Sequence, residues 1–305
     1  VTIRALVVGA SGFIGSAVDA HLSAAGVDVR RYSRRRRPGA EPNAWHLGDV
    51  QDPTAVAAAL DGCDVVVFAA SYTGDDEEVA SRTNAVGAAT VFGAAARAGI
   101  TRSVSVSTTG VYGRPGGTFG TAAGVPTDPR SAASRTRLQA EGSALAAGAT
   151  VVRPHLVYGA GDRWVVPTLV RIARATGLWP GPPETSVSAI HVDDLAALVT
   201  GLVLAGAAGG TVVHATSRES VRFHELVRPV LVGAGVEPLP RHAPVETVVD
   251  AMATAAVNAR RLDLVAAASA HDASDAWSAA NLTAPAPRPL SDADVSWYLD
   301  AVGGR

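Results

Sequence analysis

Apolar and polar positions alternate between two rhythms over most of the chain. Ile3–Val8 is a short, nearly continuous apolar run. It is followed by Gly-Ala-Ser-Gly-Phe-Ile-Gly at 9–15, then by an amphipathic stretch over Ser16–Ala25 that Gly26 closes. Short apolar runs bounded by glycine predict buried strands, and apolar positions three and four apart predict helix faces. Val27–Tyr32 predicts a second strand. The alternation continues with a helix over Ala55–Leu60, a strand over Asp64–Ala70, a helix opened by Asn84 and running to Ala98, and a strand over Ser103–Ser107. A helix over Ser134–Ala147 and a strand over Val151–Val157 follow. Strands that alternate with helices predict a parallel sheet covered on both faces.

After Tyr158 the rhythm weakens. Residues 159–183 are rich in Gly, Pro and Trp, Ser188–Val192 predicts a return to strand with a helix from Asp193, and Val212–Thr216 predicts one more strand. The tail from Ser220 carries helical pieces separated by proline-rich links such as Ala284–Leu290. The expected fold class is therefore α/β, a doubly wound parallel sheet with a smaller, mostly helical lobe. Residues 1–160 and 186–218 are assigned to the sheet domain, and 161–185 and 219–305 to a substrate lobe; ordinary packing helices are the alternative for the tail.

Composition narrows the chemistry. The chain has 305 residues, 48% of them hydrophobic and 18% charged, a globular profile. A net charge of −2 gives no bulk attraction to nucleic acid or to an anionic membrane. No apolar run is long enough to span a bilayer, and no signal-like segment opens the chain, so a cytoplasmic protein is expected. Cys63 is the single cysteine, and the eight histidines lack metalloprotease spacing, so no metal site is expected. There is no lysine: all 26 basic residues are arginines, which excludes a Schiff base or a lysine acid–base group.

Gly9, Gly12 and Gly15 stand between a predicted strand and a predicted helix. In that context the first glycine permits a tight turn, the second lets backbone approach a pyrophosphate, and the third lets the helix pack against the strand. Ser11, Phe13 and Ile14 complete the loop, and the helix N-terminus offers N–H groups to phosphate charge; a structural turn is the alternative. The second strand ends Arg30-Arg31-Tyr32-Ser33-Arg34-Arg35-Arg36-Arg37. No acid is present to hold the adenosine ribose hydroxyls, while Ser33, Arg34 and Arg35 suit a 2′-phosphate. The expected cofactor is NADPH/NADP+; a solvated basic loop is the alternative.

With G-A-S-G-F-I-G at 9–15, the chain carries Gly48-Asp49-Val50, Phe68-Ala69-Ala70, Asn84, V-S-T-T-G-V-Y-G at 106–113, R-P-H-L-V-Y-G at 153–159 and I-H-V-D-D-L-A at 190–196. In this order they resemble the extended short-chain dehydrogenases/reductases, a Rossmann-like group that includes nucleotide-sugar epimerases. The resemblance covers about residues 3–200. It implies that Asp49 and Val50 flank the adenine, that Ala69, Ala70 and Ser71 run under the cofactor, and that Pro154 to Val157, Leu156 among them, lie near the nicotinamide.

The same family uses three residues for proton chemistry: a Ser or Thr on the substrate oxygen, a Tyr that passes the proton, and a Lys four residues later. Thr108 matches the first. The Tyr–Lys motif aligns with Ala133 to Glu141, so Ala133 stands at the Tyr position and Arg137 at the Lys position. Arg137 can still donate to ribose hydroxyls, but arginine does not relay protons. None of the five tyrosines, Tyr32, Tyr72, Tyr112, Tyr158 and Tyr298, falls in this helix. The departure makes the chain similar to atypical antibiotic-pathway reductases of the family.

The resemblance implies two functions; a third, sugar epimerase or dehydratase, shares the fold but fits less well, since that chemistry needs a reversible deprotonation by the Tyr. One is NADPH-dependent reduction of a ketone on an aromatic polyketide of angucyclinone type, helped by the substrate's own phenol. Tyr72, Tyr112, His155 and Trp164 are then candidate substrate contacts, with Trp179 a further flat surface. The other is a non-enzymatic NADP(H)-binding redox sensor. Trp164 and Trp179 also suit core plugs, and His155 suits a buried, satisfied histidine. His191–Asp194 reads as a capped turn, Asp75–Glu78 as a solvated helix start. A small-molecule aromatic ketone is the expected partner, with no nucleic acid or membrane; the oligomeric state is not fixed by the sequence.

Overall fold

The computed structural model describes residues 2–37, 45–113, 116–206, 209–252 and 259–303. β1 (Arg4–Val8) is buried along almost its whole length and leads through the glycine loop into α1 (Phe13–Ala24). β2 (Asp28–Ser33) and β3 (Trp45–Leu47) extend the sheet to one side. α2 (Pro53–Leu60) is capped by Asp52, whose carboxylate accepts from the Thr54 and Ala55 N–H groups, and precedes β4 (Val65–Phe68).

Next come α3 (Glu77–Ala80), a π-helical segment (Ser81–Val86) and α4 (Gly87–Arg97). The helix expected to open at Asn84 thus begins a full two turns earlier, because Asp76 caps Glu77 and the chain continues through a π segment. β5 (Arg102–Val106), a 3₁₀ turn (Thr109–Tyr112), β6 (Gly117–Phe119), α5 (Ala132–Ala146) and β7 (Thr150–Pro154) follow.

The predicted strand over Val151–Val157 is two strands. β7 stays in the main sheet; after His155, β8 (Leu156–Tyr158) leaves it to pair with β10 (Ala189–His191). α6 (Val165–Thr176) and β9 (Leu178–Pro180) lie between them. α7 (Val192–Ala205) and β11 (Val212–Ala215) then return the chain to the sheet edge.

The seven-stranded sheet is parallel, in the order β11-β7-β5-β4-β1-β2-β3. The strand order reverses between β1 and β4, with β2 and β3 added to one side and β5, β7 and β11 to the other, so their carboxyl ends open a switch-point crevice of the kind that takes ligands in open α/β sheets. α1 and α7 cover one face, and α2, α4 and α5 cover the other.

The tail is less uniformly helical than its composition suggests. It holds α8 (Phe223–Leu226), α9 (Arg228–Gly233), β12 (Arg241–Ala243), α10 (Val245–Ala251), α11 (Ala259–Ala266), β13 (Ser269–His271), α12 (Ser274–Ala279) and α13 (Asp292–Gly303). β12 pairs with β9, and β13 with β6. A third core joins Leu156, Tyr158, α6 and Trp179 to Phe223, Leu231 and Tyr298. Ala273, Ala276, Trp277 and Ala280 instead pack with α7 in the core of the sheet. The expected assignment of all of 219–305 to one lobe is therefore crossed by this segment, whose small residues and one indole fit the sheet's flank. No helix among the described residues is long and apolar enough to cross a membrane.

Candidate active site

The glycine loop is shaped by contacts at two of its three glycines. Gly9 has φ +87°, and a Cβ there would stand 2.6 Å from the Ala70 nitrogen. At Gly15 a Cβ would stand 2.2 Å from the Gly9 oxygen. Gly12 differs: its one near neighbour, the same oxygen, would be 3.3 Å from a Cβ. Packing thus dictates Gly9 and Gly15 but not Gly12, where the missing side chain leaves the front of α1 clear. Gly12 is also the N-cap of α1, with no side-chain cap and no acid in the first turn. N–H groups at such an end suit a phosphate. The loop therefore fits a dinucleotide, with Ser11, Phe13 and Ile14 around it. Ala69 and Ala70 lie directly beneath, since Ala70 touches Gly9.

At the end of β2, Tyr32 is buried and its hydroxyl donates to the Asp49 carbonyl at 2.8 Å. Gly48 is required here, since a Cβ would fall 2.3 Å from that hydroxyl. The exposed Asp49 carboxylate accepts from the Gln51 N–H, and Val50 is buried with its side chain against Gly87. Ser33 departs from expectation. Its hydroxyl donates to the Arg35 carbonyl at 2.5 Å, and the side chain is 7% exposed. It shapes the turn instead of presenting a donor to phosphate. Arg34 and Arg35 are exposed, with no ion pair to another described residue.

The loop after β4 is clamped to α5. The Asn84 side chain, 2% exposed, accepts from the Tyr72 N–H at 2.7 Å and donates to the Tyr72 carbonyl at 2.9 Å and to Thr136 Oγ1 at 3.0 Å. A π-helical turn is a common way to aim one side chain inward at a functional site. Arg137 donates through Nε and Nη2 to Ser71 Oγ, at 2.9 and 2.5 Å. Burial lowers the Arg137 pKa to about 10, with Glu141 opposing the shift, so the guanidinium stays charged at neutral pH. Ala133 lies one turn earlier on α5 and carries no polar group.

Thr108 is the N-cap of the 3₁₀ turn, its Oγ1 accepting from the Gly110 N–H at 3.1 Å. Among the described residues no acceptor is placed to take its hydroxyl hydrogen. Thr109, which the motif did not single out, bonds His155 Nδ1 at 2.7 Å. His155 Nε2 meets the Leu264 carbonyl at 3.2 Å and must donate there, so Nδ1 accepts from Thr109. Burial pushes this histidine down to about 4, so it is neutral near pH 7. Its ring lies 5.0 Å from His271, which stacks on Phe119 at 4.7 Å.

The other expected contacts differ in exposure. Tyr112 is 1% exposed; its hydroxyl accepts from Arg153 Nη1 at 3.1 Å and bonds His214 Nε2 at 2.6 Å. It is the centre of a buried chain that begins with Arg153 paired to Glu141 at 2.5 Å and ends with His214 Nδ1 on the Asp272 carbonyl. Sealed in this way, it does not line an open surface. The Leu156 side chain is buried in the third core, which leaves only backbone for a ligand. Trp164 is 58% exposed at the start of α6, whereas Trp179 is buried in the third core. Tyr72 is half-buried, with its hydroxyl folded over Gly74. Glu141 and Asn84 were visible in the sequence only as motif letters, since the polar chains they build join residues up to 102 apart. Among the described residues no cluster of three or more His, Cys, Asp or Glu is placed to hold a metal.

Comparison with known proteins fits this geometry. The model of the NAD dependent epimerase/dehydratase family matches residues 5–215. The 4-hydroxy-2-methyl-3-oxo-4-farnesyl-3,4-dihydroquinoline-1-oxide ketoreductase of Stigmatella aurantiaca is 30% identical over 254 residues, 77% of this chain and 74% of its own length. The 2-alkyl-3-oxoalkanoate reductase of Shewanella oneidensis is 28% identical over 265 residues, 79% of this chain and 68% of its own. The structure of MoeE5 in complex with UDP-glucose and NAD superimposes with a TM-score of 0.74 at 21% identity, over 99% of each chain. The chain belongs to the NAD-dependent epimerase/dehydratase family, within the extended short-chain dehydrogenases/reductases, and is an oxidoreductase served by a nicotinamide cofactor.

Proposed function

We propose that this protein is an NADPH-dependent ketoreductase that reduces a ketone on an aromatic polyketide of angucyclinone type without the usual Tyr–Lys pair. The bound cofactor supplies the hydride. Thr108 donates its free hydroxyl hydrogen to the ketone oxygen. Arg137, charged and aimed by Ser71, holds the ribose side of the crevice and draws negative charge toward it. The observation that carries the reading is the pairing of Ala133 with a charged, proton-locked Arg137 beside a retained Thr108: the oxygen holder is present and the phenol is absent. A missing general acid forfeits about 10²–10⁴ in rate, or roughly 3–5 kcal/mol. A phenol peri to the ketone, already hydrogen-bonded to its oxygen, stabilises the alkoxide left by hydride addition and offsets much of that loss from the substrate side, and water supplies the proton that completes the alcohol. The resemblance to the angucyclinone 7-ketoreductase of simocyclinone biosynthesis, which lacks the same pair, points to this substrate class. The ketoreductase relatives favour reduction over epimerisation. Arg34 and Arg35, with no acid at the end of β2, favour NADPH.

The test is NADPH consumption against paired aromatic ketones with and without the adjacent phenol, with mass detection of the alcohol. Reduction confined to the phenolic ketones is expected. Equal rates on both members of each pair contradict substrate assistance. A redox sensor is the second reading, favoured by the same absence of a protein proton donor at Ala133. Tight NADPH binding with no turnover across the panel supports it.

A further inference from the structure

Asp19, on the second turn of α1, is a carboxylate only 1% exposed. Arg31 Nε donates to its Oδ2 at 2.8 Å, and Arg37 Nη2 donates to the same oxygen at 2.5 Å. Its Oδ1 accepts from Ser23 Oγ at 3.4 Å. The Arg37 guanidinium also lies 5.7 Å from the centre of the Trp45 ring, on β3. Four consecutive arginines repel one another and by themselves favour a dispersed, solvated segment. Here the run is fastened at both ends. Ser33 bonds across to the Arg35 carbonyl, and Arg37 is drawn back to Asp19 and Trp45. Arg34, Arg35 and Arg36 lie between the two fastenings, exposed and without an ion pair to another described residue.

We propose that Asp19 is the positioning residue that sets cofactor selectivity: by holding Arg31 and Arg37 it fixes the arginine turn so that Arg34 and Arg35 meet a 2′-phosphate. The inference rests on the NADPH reading above. An acid this close to a phosphate site disfavours the phosphate on charge alone. Removing the Asp19 charge therefore tightens NADPH binding if charge alone matters, and weakens it if the turn must be held. The two accounts differ in sign.

The experiment measures NADPH and NADH binding by fluorescence titration for the unmodified protein, Asp19→Asn and Arg37→Lys, with circular dichroism as the check on folding. Asp19→Asn is expected to raise the NADPH Kd about tenfold, the loss of one charged hydrogen bond, with the NADH Kd unchanged within about twofold. Arg37→Lys keeps the charge but loses the planar fork, and is expected to shift in the same direction; it carries the test if Asp19→Asn does not fold. Unchanged or tighter NADPH binding in folded Asp19→Asn, or in Arg37→Lys, overturns the proposal. Equal affinity of the unmodified protein for NADPH and NADH overturns the NADPH reading itself, a distinct failure.

Discussion

The two ends of the switch-point crevice have been treated differently. At the cofactor end the family's glycine pattern is complete, and Gly9, Gly15 and Gly48 are each held by contacts that no other residue would satisfy. At the substrate end the framework is also complete: Asn84 clamps the Tyr72 backbone, and Glu141 pairs with Arg153 beneath Tyr112. Only the side chains that move protons are gone, with Ala133 and Arg137 in their places. On the proposed reading cofactor binding and proton transfer are separable, because the first is built from backbone and packing and the second from two side chains on one helix face.

Breaking the framework under the substrate end is expected to have the largest effect. Glu141→Leu leaves Arg153 buried without its carboxylate, and breaking such a pair costs about 3–5 kcal/mol; thermal unfolding should show it. A melting temperature within a few degrees of the unmodified protein would mean the pair is not structural. Close behind is Gly15→Ala at the cofactor end. The new Cβ meets the Gly9 oxygen, overpacking that costs roughly 1–3 kcal/mol, and NADPH binding is expected to be lost in titration.

Rebuilding the missing pair sharpens the contrast directly. In the double variant Ala133→Tyr/Arg137→Lys, ketones without an adjacent phenol should gain about 10²-fold in turnover, while phenolic ketones change little. Equal gains on both classes would argue that the substrate phenol plays no part. Smaller again, Thr108→Ala should lower kcat/KM about tenfold, the value of one hydrogen bond to developing charge, with NADPH affinity unaltered. Full activity would remove Thr108 from the mechanism.

The last effect is on pH. Burial holds His155 at about 4 in the folded protein against an ordinary 6.5. Its contribution to stability is therefore complete above pH 6.5 and is lost as pH falls from 6.5 toward 4, because the unfolded chain takes up the proton first. His214 and His271, also held low by burial, act in the same direction. The fall in melting temperature on acidification should be shallower in His155→Gln; an identical slope would contradict the assignment.

Much of this was legible in the sequence, and the limits have physical causes. The sheet strands that follow short apolar runs appear within a residue or two of expectation, since burial on both faces leaves a continuous apolar signal. The break at His155 was not visible, because an apolar run reads the same whether its second half stays in the sheet or pairs elsewhere. β6, β9, β12 and β13 are three residues each and stabilised by distant partners, so no local pattern marks them. At the site, motif and register alone assign Thr108, Ala133 and Arg137. Thr109–His155, Ser71–Arg137 and the closure of Tyr112 depend on contacts across 41 to 102 residues, and Ser33 differed because its hydroxyl was satisfied two residues away.

The proposed chemistry rests on hydride delivery without a tyrosine acid. Its most direct test is single-turnover incubation of the protein with NADPH deuterated at both C4 positions and a phenol-bearing aromatic polyketide ketone, read by mass spectrometry of the product. The expected product is an alcohol carrying one deuterium at the former carbonyl carbon. Tight cofactor binding with no deuterium in any product, across ketones of that class, would contradict it.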